Sequence, residues 1–204
     1  MNRARAALGG MPAQAGAMPE GPANAAGGEA APGGAEILVV DAGIDVPDIL
    51  VNGCRRGVGV HRLEAGGRGL EQIAAGLGKR RDVSVLHLLS RGEPGALLLA
   101  GDRIDLPALA MRPALLVELS EAFRPDAVLV LYGGSVACGP AGLRFLDYLE
   151  TALGITVAAS ATPVGAAALG GRWTLRDRYG NPVQTAFSPL SRATYPALLS
   201  GVRA

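Results

Sequence analysis

Three short, almost unbroken apolar runs constrain this chain more than any other feature: Ile37–Val40, Val83–Leu89 and Ala127–Tyr132. Each is too short for an ordinary helix and ends in turn residues, Asp41, Ser90-Arg91-Gly92 or Gly133-Gly134. Runs of this kind read as strands buried on both faces, which is the pattern of a parallel sheet. Helical periodicity lies between them. Leu70, Ile73, Ala74 and Leu77 fall at i, i+3, i+4, i+7, with Gly78 as a stop. Pro107 suits a first helical turn, and Pro113 interrupts or restarts a helix that runs to about Phe123. Pro140 opens another, with Leu143, Leu146, Leu149 and Leu153 near one face. Val58–Leu63 reads as a weaker strand, Ile155–Ala159 as a fifth and Trp173–Leu175 as a short sixth, while 96–99 and 103–106 flank a Gly101-Asp102 hairpin turn. Strands alternating with helices imply right-handed crossovers. The expected fold is therefore α/β, a three-layer α/β/α sandwich with a mostly parallel core sheet over residues 35–179. Residues 180–204 read as a peripheral C-terminal tail with a short apolar helix near Tyr195–Leu199.

Composition sets the limits around that core. A length of 204 residues suits one domain. Residues 1–34 contain 23 Ala, Gly and Pro and no periodic apolar face, so they read as a disordered leader. Arg3 and Arg5 resemble the start of a secretory signal, but Gly9, Gly10, Pro12 and Gly16 break the apolar stretch that should follow, and no Sec signal is evident. Nineteen basic against eighteen acidic side chains argue against a nucleic-acid partner. No apolar run reaches the ~18 residues of a transmembrane helix. Two cysteines, Cys54 and Cys138, and two histidines, His61 and His87, are too few for a disulfide framework or a four-ligand zinc site. No metal and no cofactor is expected.

In an open parallel sheet, ligands gather where the strands end. The segments concerned are Asp41-Ala42-Gly43, Ser90 to Gly95 and Gly133 to Gly139. The stretches VSVLHLLSRGEPGALLL, AVLVLYGGSVACGPAGLRFLDYL and ITVAASATPVGAAALGGRWTL carry a resemblance. Over about 36–178, and loosely to about 200, the chain is similar to a bacterial domain of unknown function that lies near the N-terminus of large cadherin-like or RTX-type surface proteins. That domain is a distant relative of the caspase and gingipain cysteine peptidases. The resemblance implies a caspase-like fold and a secreted or cell-surface setting. It also implies His-x-x-Ser-His-Gly after the third strand, where the second histidine would be the base, and Leu-Tyr-Gly-Cys after the fourth, where the cysteine would be the nucleophile.

The chain departs from that pattern at both places. His87 matches the first histidine, but Arg91 stands at the base position and Gly134 at the nucleophile position. A guanidinium cannot accept a proton near neutrality, and glycine has no side chain. His87, inside an apolar strand, reads as a hydrogen-bonded core residue and His61 as a surface one. Cys138, at the start of the helix opened by Pro140, is a displaced thiol candidate, and a small residue in a tight loop is the simpler reading of it. Cys54, on a Gly/Arg-rich loop, is weaker still. Gly133-Gly134-Ser135-Val136-Ala137 has the strand-to-helix setting of a nucleophile elbow, but no histidine follows Ser135. Gly66-Gly67-Arg68-Gly69 precedes a helix and is a weak anion site without the Walker residues. Seven basic and two acidic residues between Gly53 and Arg81 read as a solvated face.

The expected function is a degenerate, non-catalytic domain that serves as a binding or structural module for a peptide or protein partner. Its cleft would be lined by His87, Ser90, Arg91, Gly134 and Ser135, with Arg91 turning a proton-handling site into an anion-holding one. A cysteine or serine hydrolase using Cys138 or Ser135 is the alternative, and a nucleotide- or anion-binding α/β domain is a third reading.

Overall fold

A computed structural model describes residues 34–201, so the expected leader lies outside the described residues except for Gly34. The elements run β1 (Ala35–Val40), α1 (Pro47–Val51), β2 (Val58–Arg62), α2 (Gly69–Leu77), β3 (Val83–Leu89), β4 (Arg91–Glu93), β5 (Ala96–Leu99), β6 (Asp102–Asp105), α3 (Leu106–Ala110), α4 (Pro113–Ser120), β7 (Phe123–Leu131), α5 (Gly139–Leu153), β8 (Thr156–Ala158) and α6 (Pro189–Thr194). Five strands form one sheet in the order β2-β1-β3-β7-β8, and every pairing in it is parallel. Register partners across the sheet include Leu38 with His87 and His87 with Val130.

The apolar runs supply side chains to both faces, as two-sided burial requires. Val39, Leu86, Leu88, Leu129 and Leu131 point toward α2, α3, α4 and α5. Leu38, Val40, Leu89 and Val130 point the other way, toward α1 and the chain beyond Val164. The architecture is thus the expected three-layer α/β/α sandwich. Among the described residues, no helix is long and apolar enough to cross a membrane.

Several local expectations change. The predicted 96–106 hairpin forms as β5 and β6, and β4 joins it in a three-stranded antiparallel sheet. Pro113 restarts a helix, because α3 ends at Ala110 and α4 begins with the proline. On α5 the buried positions are Gly142, Phe145, Leu149 and Leu153, while Leu143 is exposed. A leucine count alone misplaces the helix face there, since Phe145 fills it. Trp173–Leu175 is not a strand. The next residue, Arg176, makes only isolated bridges with Ala159 and Pro182.

The largest difference concerns the segment read as a peripheral tail. Ala186, Phe187, Tyr195 and Leu199 are all at most 2% exposed, and they cover the second sheet face together with Tyr132 and Leu175. Rings of Tyr132, Trp173, Phe187 and Tyr195 pack edge-to-face or tilted at 4.9–6.3 Å, a geometry that suits aromatic quadrupoles. The helix in this segment is α6, capped by Ser188, whose side chain accepts from the Ser191 N–H. Tyr195–Leu199, expected as helix, is not helical. Polar residues such as Arg176, Asp177, Arg178, Asn181, Gln184 and Thr185 separate these aromatics, so no short-range apolar period marks them as core.

Phe187→Ala should cost about 3–5 kcal/mol of unfolding free energy, the usual range for a buried phenylalanine. Truncation of the exposed Met111 (82% exposed) should stay within ~0.5 kcal/mol. Urea denaturation of both variants measures the contrast, and equal small losses would return 180–201 to the status of a peripheral tail.

Candidate functional site

The sheet order places a topological switch between β1 and β3. The chain leaves β1 toward β2 on one side and leaves β3 toward β7 on the other, so the connections diverge and leave a crevice beyond the strand ends. Asp41-Ala42-Gly43 and Ser90-Arg91 stand there. A pocket of about 460 Å³ occupies the crevice, lined by Asp41, Gly43, Gly66, Gly67, Arg91 and Asp102 among others. The Arg91 guanidinium lies against Gly43: a Cβ on Gly43 would be 3.0 Å from its Nη2 and 2.9 Å from Asp41 Oδ2. Yet no ion pair within 4.0 Å joins Arg91 to either aspartate, and its buried Nε has no hydrogen-bond partner among the described residues.

The two pocket carboxylates are differently committed. Asp41 is 3% exposed; its Oδ2 accepts from the Gly43 amide within its own loop, and its Oδ1 accepts from the Ala100 amide and so ties the β1 end to the β5–β6 turn. Asp102 accepts from the Arg68 N–H at 2.7 Å, and the Gly66 and Gly67 amides donate to the Ala100 carbonyl. The glycine-rich start of α2, read from sequence as a weak anion site, is therefore filled by a carboxylate of the chain itself.

His87 does not line this pocket. It is fully buried in β3 and belongs to a chain of hydrogen bonds on the second face. The Ala186 N–H donates to Tyr132 Oη (2.8 Å), which leaves the Tyr132 hydroxyl proton for His87 Nδ1 (3.0 Å). Nδ1 is then the acceptor and Nε2–H the donor, directed to Glu36 Oε1 at 2.7 Å. Glu36 also pairs with Arg55, whose Nε donates to the Thr185 carbonyl. The hydrogen bond from His87 is the main cause that holds the Glu36 carboxyl below its ordinary value, against the opposing effect of burial. Burial pushes the Tyr132 hydroxyl far up and the Cys54 thiol to about 11. Both nitrogens of His87 are thus engaged in holding β1, β7 and the C-terminal segment together. His61, only half-buried, sits under α2, where a Cβ on Gly76 would meet its ring at 2.6 Å.

The positions beyond β7 are elsewhere again. Gly134 is buried, and its N–H donates to the Leu199 carbonyl at 2.5 Å. A Cβ there would lie 3.0 Å from that oxygen and 3.2 Å from Val164 N. The residue without a side chain is thus the one that fits. Ser135 follows with φ +62°, in the left-handed region, and is half-buried. Cys138 is exposed at the start of α5. The Ser90 hydroxyl is buried without a partner among the described residues. The expected cleft therefore divides. Arg91 faces the β1–β3 pocket, His87 lies in the core, and Gly134 with Ser135 adjoins a crevice occupied by Leu199. Asp41, Asp102, Glu36 and Leu199 were not among the expected site residues. Of these, only Asp41 carried a signal, as the polar residue that ends an apolar run.

A wider open groove of about 820 Å³ lies at the β8 edge between α5 and residues 159–178. Its Arg178 pairs with Glu150 and Asp147, and Arg176 donates to the Gly180 carbonyl. It is shaped by surface ion pairs and lies away from the β1–β3 switch, which we regard as the better candidate. Among the described residues no group of three or more His, Cys, Asp or Glu is placed to hold a metal.

Because the folded state holds Glu36 below its ordinary value, its ionised form stabilises the fold. That contribution is present above the unfolded carboxyl pKa and fades as pH falls through the folded one. Wild-type protein should therefore lose more stability between pH 7 and pH 3.5 than Glu36→Gln does, measured as the difference in urea midpoints. His87→Ala should cost about 1–3 kcal/mol, since it leaves the buried Tyr132 hydroxyl proton without its acceptor and takes from Glu36 one of its two partners.

No curated protein matches this sequence. A family model matches residues 37–199, which is most of the chain and includes both the switch pocket and the C-terminal segment. The chain belongs to the family described as domain of unknown function DUF4347.

Proposed function

We propose that this domain is a non-catalytic binding module of caspase-like descent, with its ligand site at the β1–β3 switch. The observation that carries the reading is the Arg91 guanidinium, which lines the pocket beside Gly43 with its Nε buried and unpartnered. A fixed planar fork of donors suits a carboxylate. The neighbouring Asp41 and Asp102 disfavour a polyanion, so a nucleotide polyphosphate is a poor fit. A singly charged carboxylate, such as an acidic side chain or a peptide terminus, suits the pocket better. Catalysis finds no support in the arrangement. The base and nucleophile positions of the resemblance hold Arg91 and Gly134, and both nitrogens of His87 are engaged. The chain's other histidine, His61, lies under α2.

Thermal melts in acetate or succinate, against ATP as the polyanion, test the site. A ligand at 100 times its Kd adds ~2.7 kcal/mol, worth several degrees for a domain of this size. Carboxylates should raise the wild-type Tm, and Arg91→Ala should abolish the rise. An unchanged response in the variant would sink the site.

Iodoacetamide addresses the hydrolase alternative. Cys138 should react no faster in the native protein than after unfolding, and Cys54 should be protected in the fold, where burial holds its thiol near pKa 11. Native-state acceleration at Cys138 would favour the hydrolase.

A further inference from the structure

Two amides from different loops converge on one peptide oxygen: the N–H of Gly134 (2.5 Å) and the N–H of Gly92 (3.2 Å) both donate to the Leu199 carbonyl. Paired backbone donors aimed at one carbonyl are the arrangement that holds an acyl oxygen in hydrolytic sites. The segment around Leu199 is tied on both sides. Its own N–H donates to the Val164 carbonyl (2.8 Å), Ala166 N–H donates to the Ala197 carbonyl (2.9 Å), and Gly201 N–H donates to the Gly92 carbonyl (2.8 Å). Ser200 bridges Gly92 in parallel sense, and Leu198 bridges Gly165 in antiparallel sense. Ala197–Gly201 therefore lies like a strand between two edges, which is how extended peptides are bound by strand addition. The Leu199 side chain is fully buried in the cluster that holds Tyr132, Val164 and Leu175. The walls admit a backbone at close range: a Cβ on Gly165 would lie 2.2 Å from the Ala197 oxygen.

We infer that this groove is a peptide-binding site that the chain fills with its own segment. Its ligand class is an extended peptide that presents a leucine-sized side chain to the Leu199 pocket and the carbonyl of that residue to the Gly92 and Gly134 amides. The site is separate from the Arg91 pocket and does not depend on it. A tethered segment has an effective concentration on the order of millimolar, so a free peptide gains the groove readily when the internal one is disabled and otherwise only in large excess.

The test uses the full chain carrying Leu199→Asp and a fluorescein-labelled peptide, PALLSG, which copies positions 196–201. Fluorescence anisotropy should show saturable binding to the variant and binding at least ~10-fold weaker to wild type. The same peptide with its second leucine changed to aspartate should bind neither. A variant that melts cooperatively but ignores PALLSG, or binds the altered peptide equally, overturns the inference. Should the variant not fold, hydrogen exchange on the unaltered chain decides. The Gly92, Gly134 and Ala166 amides should exchange through an opening shallower than that of β3, and excess unlabelled PALLSG should slow them while speeding exchange at Leu199 and Gly201. Exchange of all five only by global unfolding, unmoved by the peptide, also overturns it.

Discussion

A parallel sheet with apolar side chains on both faces is stable only when both are covered, and the rest of this structure follows from how the second face is met. On the first face, α2, α3, α4 and α5 supply ordinary amphipathic helices. On the second, among the described residues, the helix that lies between strands is the five-residue α1, far too little to cover Leu38, Val40, Leu89 and Val130. The chain beyond β8 therefore returns across the sheet. Phe187, Trp173 and Tyr195 provide the area that missing helices would have given, since each large ring removes much apolar surface from water.

That return also accounts for the polar interior. Irregular chain crossing a sheet brings backbone groups that need partners. Tyr132 meets one of them by accepting from the Ala186 N–H, and this sets the direction of the hydrogen bonds through His87 to Glu36 and Arg55. A histidine committed at both nitrogens serves as a structural link between β1, β7 and the returning segment.

The same return separates two places that a reading of strand ends treats as one cleft. The β1–β3 switch remains open as a pocket with Arg91 on its wall. The ends of β3 and β7 instead meet the backbone of Leu199. On the proposed reading, replacement of a nucleophile by Gly134 goes together with this closure, because a side chain there would press on the Leu199 oxygen. Arg91 and Gly134 follow the neighbouring strands β3 and β7 and serve different spaces in the molecule.

Much of this was legible in the residues. The unbroken apolar runs specified strands and their parallel arrangement, because only two-sided burial tolerates such runs. Pro107, Pro113 and Pro140 marked helix starts, because proline lacks the N–H that an interior turn would need. The buried role of His87 followed from its place inside an apolar strand. Tertiary structure alone decided the rest. Tyr195 becomes core against the ring of Trp173, and Leu199 against Gly92, Gly134 and Val164; these partners are distant in sequence, and no local period encodes such contacts. The same holds for Asp102, which fills the start of α2 from the far side of a hairpin, and for Leu199, which takes the two amides beyond the strand ends. Periodicity reports which side of an element is apolar, whereas the partner that covers it depends on where the folded chain returns.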